Sequence, residues 1–369
     1  MIYKAKEYRN LPTLDQLVDN LRIALSHQPV RHRGPVEPVL PDTDNFIVTR
    51  QMSGRYSLKP NISMQPALFR GECNWSENDY SCCPSLFRKE PRYLVENLKY
   101  EELQIAMESY PLFQLLRKGI RLSDDMNLRI YNPYGIAMCY GIKTSLLPFT
   151  SDLDIASFYA CCEKDENGKY KPVINNQGEE KQGILYIFNM MVPFSMTPGL
   201  SSVGKQVFPR CGLQKTFALN VQRGQDLRNH SFVVGFAFRH DNQISKRIYN
   251  QFKSGLSLEP NDDLLAKKAK EILNSSVISQ TAFDRNLRLN PSDNPIINQT
   301  EISENNLELS MDRTTSFTVD ELNNYYANST AIWEQFCQNV VFVGRDSVHL
   351  RDSLLQIPNK DQYKMYFTK

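Results

Sequence analysis

Residues 67–75 read Ala67-Leu68-Phe69-Arg70-Gly71-Glu72-Cys73-Asn74-Trp75, and the reading of this stretch decides the fold. Three apolar residues run into an arginine, so a short strand is expected over Ala67–Arg70. Arg70 then has two readings. It closes the strand in a pair with an acid such as Glu72, or the strand presents it to a ligand. Gly71 fits the second reading, because a residue without a Cβ lets another group approach the backbone.

The rest of the chain limits what that ligand can be. With 369 residues, 41% hydrophobic and 23% charged, the sequence is that of a soluble globular protein with room for a large core. Forty-three Lys and Arg stand against 41 Asp and Glu, a net charge of +2, so bulk charge gives no pull toward nucleic acid or anionic membrane. MIYKAKEYRNLPTLDQL lacks the apolar segment of a secretory leader, and the apolar run FVVGFAF (232–238) is too short to span a bilayer. The eight cysteines form no CxxC, so reduced thiols in a cytoplasmic protein are expected.

Element signals change along the chain. Thr13-Leu-Asp-Gln16 is a capping box ahead of an amphipathic helix, and prolines 35, 38 and 41 then mark a connector. RYLVENLKYEELQIAMESY and LFQLLRK carry helical periodicity, and DIASFYACC (154–162) is a second helix candidate. ILYIFNM (184–190), TFALNVQ (216–222) and FVVGFAF read as strands. From about residue 242 the pattern returns to helix, with LLAKKAKEIL (264–273) and a capping box at Thr318-Val-Asp-Glu321. Residues 274–310 are Asn/Ser-rich and read as a loop or mobile polar insertion. Helices, then strands, then helices again predict an α+β class. The expected division is an N-terminal helix and Pro-rich connector (1–59), a core (60–240) and a mostly helical C-terminal region (241–369).

Several chemistries are disfavoured. Gly199-Leu-Ser-Ser-Val-Gly-Lys-Gln206 nearly spells a phosphate-binding P-loop, but Gln206 stands where a magnesium-binding hydroxyl is needed. The five histidines never fall at metal-ligand spacing, so no metal is expected, and no GxSxG elbow is present. What remains is three segments that set cationic or polar groups beside apolar element starts. These are Leu68–Gly71 with Pro84-Ser-Leu-Phe-Arg88; Tyr140-Gly-Ile-Lys-Thr144-Ser-Leu-Leu-Pro-Phe-Thr150; and Phe208-Pro-Arg-Cys-Gly-Leu-Gln214-Lys-Thr-Phe217.

In that order, FRG, PSLFR, YGxxTxLLxxT and RxxxQxxF resemble the FRG domain of bacterial and phage proteins, over roughly residues 60–240. The sequence departs from the family pattern at Glu72, Met138-Cys139, Pro148 and around Thr216. The resemblance implies an ADP-ribosyltransferase-like fold, a split β-sandwich that grips NAD, and a role as toxin or effector in a conflict or defence system. It implies Arg70 and Gln214 as catalytic candidates, and Arg70, Gly71, Tyr140, Thr144 and Thr150 as binding residues for NAD or a related nucleotide. The superfamily's catalytic Glu, expected two residues after Gln214, is Thr216 here; Glu72 or Glu163 would have to supply the carboxylate. Bland readings stay open beside these. Thr150 suits a helix cap, Gln214 a tie between two strands, and Arg88 a packing role. A non-enzymatic nucleotide- or protein-binding module is the alternative function, with Tyr325, Tyr326 and Trp333 of the C-terminal helices as a partner surface. The macromolecular acceptor would be protein or nucleic acid.

Overall fold

The computed structural model describes residues 2–4, 7–26, 44–61, 67–76, 82–90, 92–189, 199–230, 232–290, 295–344 and 347–355. Most of the Pro-rich connector lies outside the described residues. Among the described residues the class is α+β, with a mixed central sheet and no barrel.

The central sheet has seven strands: β1 (Ile2–Tyr3), β2 (Ala67–Glu72), β3 (Leu146–Thr150), β4 (Gln182–Asn189), β5 (Leu200–Ser202), β6 (Thr216–Asn220) and β7 (Val233–Arg239). Their spatial order is β1-β7-β4-β2-β3-β6-β5, parallel only between β1 and β7. The FRG strand is therefore central. It shares six register pairs with β4, from Ala67–Asn189 to Glu72–Ile184. On its other side it meets β3 at one pair, Phe69–Thr150. Beyond that rung the sheet parts into two halves.

The described residues also form twelve α-helices: α1 (Leu14–Ser26), α2 (Tyr93–Glu108), α3 (Pro111–Lys118), α4 (Pro133–Cys139), α5 (Leu153–Cys161), α6 (Pro209–Leu213), α7 (Asn242–Gln251), α8 (Leu264–Asn274), α9 (Gln280–Leu289), α10 (Pro295–Glu304), α11 (Val319–Cys337) and α12 (Ser347–Leu355). Strand alternation sends Phe69 to one face, where it packs with α1, α5 and α7 through Leu17, Phe158 and Ile248. Leu68 goes to the other, with Phe149, Tyr186 and Phe217. Burying side chains of this size contributes about 1.5–3 kcal/mol each. A third cluster joins α2, α3 and α4 to α8 and α11, so Tyr140 and Phe208 share one core with Leu265 and Trp333.

Both capping boxes form, at Thr13/Gln16 and at Thr318/Glu321. The expected polar insertion over 274–310 is instead largely folded. It holds a parallel strand pair, Val277–Ser279 with Glu308–Ser310, as well as α9 and α10. Its buried apolar residues, Ile278, Ala282, Phe283 and Ile302, gather on Leu94 and Leu98 of α2, with Leu287, Leu307 and Leu309 packed beside them. An Asn/Ser-rich segment folds when its apolar residues share one face.

Candidate functional site

Arg70 and Glu72 stand two residues apart on β2, so their side chains share a face. The guanidinium Nε and Nη2 reach Glu72 Oε1 at 2.8 and 2.7 Å. Its Nη1 donates to the Pro148 carbonyl of β3 at 3.0 Å. That last bond spans the two strands just past their single rung. Burial opposes the Arg70 charge, but Glu72 outweighs it and raises the pKa further. Arg88 Nη2 also reaches Glu72 Oε1, at 3.1 Å, and its Nε donates to the Cys83 carbonyl. Arg88 thus binds the PSLFR segment to the FRG strand, as its packing reading expects. Three nitrogens crowd Oε1, while Oε2 of Glu72 has no hydrogen bond among the described residues.

Gly71 answers to packing. An added Cβ would overlap the Ala156 carbonyl oxygen and stand 2.6 Å from the Ala160 amide nitrogen, both on α5. The residue lines the cleft, but what requires a glycine is the helix behind the strand.

A cleft of about 1450 Å³ opens where β2 and β3 part. Among its lining residues are Arg70, Gly71, Glu72, Tyr140, Thr150 and Gln214. Three chain segments that the sequence reading singled out therefore converge. Thr144 does not join them. It is 1% exposed, and its Oγ1 accepts the Leu146 amide, a local turn bond that accounts for the residue. Thr150 is not the helix cap either. It accepts the Asp152 amide at 3.1 Å, and Asp152 caps α5 through Asp154 and Ile155. Lys215, with a left-handed φ of 48°, pairs with the same Asp152 at 2.8 Å and ties α5 to the start of β6. Gln214 ties no strands together. It ends the short α6, half-buried, and its side chain makes no hydrogen bond among the described residues. Of the candidates, it is the one whose polar group is left open to the cleft.

Tyr140, a candidate binding residue, is 2% exposed. Its hydroxyl donates to Asp263 Oδ2 at 2.6 Å, and Arg210 lies over its ring at 4.8 Å. Burial and the nearby Asp263 charge hold the phenol protonated far above its ordinary range. Tyr159 and Phe149 also line the cleft, while Phe158 is core. Glu163 pairs with Lys171 and is not a lining residue.

The cleft is also lined by an ion cluster that sequence reading missed. Glu259 Oε1 accepts Lys164 Nζ at 2.9 Å and the Tyr170 hydroxyl at 2.6 Å. Its Oε2 accepts Lys164 at 3.0 Å and faces Arg210 Nη1 at 3.0 Å. Burial works against the carboxylate, but Lys164, Arg210 and Tyr170 outweigh it and hold the pKa below the ordinary value. Asp263 caps α8 through the Ala266 amide and lies 3.5 Å from Arg210 Nε. Burial raises the Asp263 pKa, with Tyr140 and Arg210 offsetting part of the rise. Arg210 sat inside a quoted segment, but Glu259 lies in the turn Ser-Leu-Glu-Pro-Asn, where no local pattern distinguishes it.

Other readings are settled by contacts. The near P-loop is part of the fold: Gly204 abuts the Leu58 carbonyl, Gln206 Nε2 donates to the Val203 carbonyl, and Lys205 Nζ donates to the carbonyls of Gln335, within α11, and Gln338, just past its end. Tyr325 and Trp333 are 2% exposed, which removes them from any partner surface and leaves Tyr326 outside. All eight cysteines are free thiols. Among the described residues no group of three His, Cys, Asp or Glu is placed to hold a metal ion, and no helix is long and apolar enough to cross a membrane. Comparison with family models, curated proteins and solved structures finds no match to this chain.

Proposed function

We propose that the protein is a divergent FRG-domain protein with an ADP-ribosyltransferase-like fold that uses NAD as substrate. It acts as an NAD-consuming toxin or effector of a bacterial or phage conflict system in the cytoplasm, transferring ADP-ribose to a protein or nucleic acid or hydrolysing NAD. The observation that carries this reading is the convergence of Arg70, Thr150 and Gln214, from three chain segments, on one cleft at the parting of a split sheet.

The chemistry asks for a leaving nicotinamide, whose bond to the ribose C1′ breaks with its electron pair moving to the pyridine nitrogen. The sugar then carries oxocarbenium-like charge, which a fixed carboxylate stabilises. Glu72 is the candidate on this wall, because Arg70 and Arg88 hold one oxygen and leave Oε2 without a partner among the described residues. An acceptor oxygen or nitrogen, or water, attacks C1′ and loses its proton. Gln214 is placed to orient a polar group of the ligand.

A second reading, a nucleotide-binding module without turnover, is favoured by two facts. Each nitrogen of Arg70 already has a partner, and two residues after Gln214, where the superfamily carries its Glu, stands a buried threonine, Thr216. Incubating the purified protein with labelled NAD and cell extract separates the two. The transferase reading expects nicotinamide release or label transfer that falls about a hundredfold or more in Arg70→Ala and in Gln214→Ala. NAD binding with no turnover selects the module, and neither binding nor turnover overturns both.

A further inference from the structure

The ion cluster lining the cleft has the composition of an anion site that already holds an anion. Two cations from separate elements, Lys164 and Arg210, and the Tyr170 hydroxyl all aim at the two oxygens of Glu259. We propose that Lys164, Arg210 and Tyr170 form a phosphate-binding subsite of the cleft, and that Glu259 is its internal occupant, displaced when a phosphate-bearing ligand binds.

Three observations support the assignment. First, the cradle outlasts its occupant. Arg210 is also held by Asp263 Oδ2 and stacked on the Tyr140 ring at 4.8 Å, while Lys164 lies 4.7 Å from the Tyr170 ring centroid. Removing the Glu259 side chain leaves these contacts intact, so the donors stay converged. Second, charge balance favours displacement. Lys164 and Arg210 are matched by Glu259 and Asp263, so the cluster is neutral as it stands. A phosphate monoester brings about two negative charges, against one for a carboxylate. Adding it beside Glu259 would leave the cluster at about −2, whereas exchanging it for Glu259 leaves about −1. Third, the cleft as a whole favours anions: seven Lys and Arg line it against five Asp and Glu. Of these, the exposed Lys169, Lys267 and Lys270 form no ion pair among the described residues.

Solvent reaches the cluster from one side. Lys164 is 42% exposed while Glu259 is 14% exposed, so an incoming anion meets the Lys164 ammonium first and can exchange with the carboxylate there.

Inorganic pyrophosphate is the probe, titrated calorimetrically into the full chain, with far-UV circular dichroism confirming each variant's fold. Glu259→Gln is expected to bind it about tenfold more tightly than wild type, and adding Lys164→Gln is expected to reverse that gain. Glu259→Gln binding no tighter than wild type overturns the proposal, as does a double variant that binds as tightly as Glu259→Gln. Should Glu259→Gln not fold, Lys164→Gln alone decides: about a tenfold loss of pyrophosphate binding supports the subsite, and unchanged binding overturns it. The measurement involves no turnover. An inactive protein that binds pyrophosphate in this pattern refutes the NAD reading and keeps the subsite, and the converse result does the reverse.

Discussion

An alanine at position 71 would carry its methyl group into the Ala156 carbonyl, so the glycine of the FRG triplet is required by α5 rather than by a ligand. Backbone cannot yield as a flexible side chain can. Gly71→Ala is therefore expected to destabilise the fold by about 3 kcal/mol or more, read as a lowered midpoint in urea unfolding. Arg70 forms the pair with Glu72 that the first of its two readings expects, and it stands inside the strand rather than at its end, where it lines the cleft. What one residue's neighbours in sequence could not reveal is its third bond, to Pro148 on a strand 78 positions away.

At the scale of elements, the junction of β3 with α5 orders the cleft wall. Thr150 shapes the turn, Asp152 caps the helix, and Lys215 holds Asp152 from the neighbouring strand. Asp152→Ala removes the cap and one ion-pair partner of Lys215, and is expected to cost about 1–2 kcal/mol in chemical denaturation. Helices and strands with strong periodicity were readable: α1 and α11 behind their capping boxes, and β4, β6 and β7 as apolar runs. The segment 274–310 was not, because its apolar residues stand scattered among Asn and Ser and their common face appears only when α2 is packed against them. Glu259 was invisible for a similar reason. Its partners Lys164, Tyr170 and Arg210 are 49 to 95 residues away, brought near by tertiary structure alone.

For the whole molecule, the C-terminal helices share a core with the sheet's helices, since Leu265, Ala269 and Ile272 pack in the cluster that holds Tyr140 and Cys211. The ion pairs of the Glu259 cluster then make global stability depend on pH. Glu259 has a folded pKa below its ordinary 4.5, so its contribution is full above that value and is lost as pH falls through the lower folded value. Asp263 acts in the opposite direction, its raised folded pKa favouring the folded state as it gains a proton. Glu259→Gln should thus flatten the acid limb of a thermal-unfolding profile below about pH 4.5. The one-rung contact between β2 and β3 has a mechanical consequence. Along the floor of the cleft no ladder of backbone bonds fixes the spacing of the two halves, and the Arg70 bond to Pro148 stands in for it. Any ligand that recruits the Arg70 guanidinium competes with that stitch. Affinity at the cleft and the width of the sheet become one linked quantity, so a tight ligand here is also a lever on the fold.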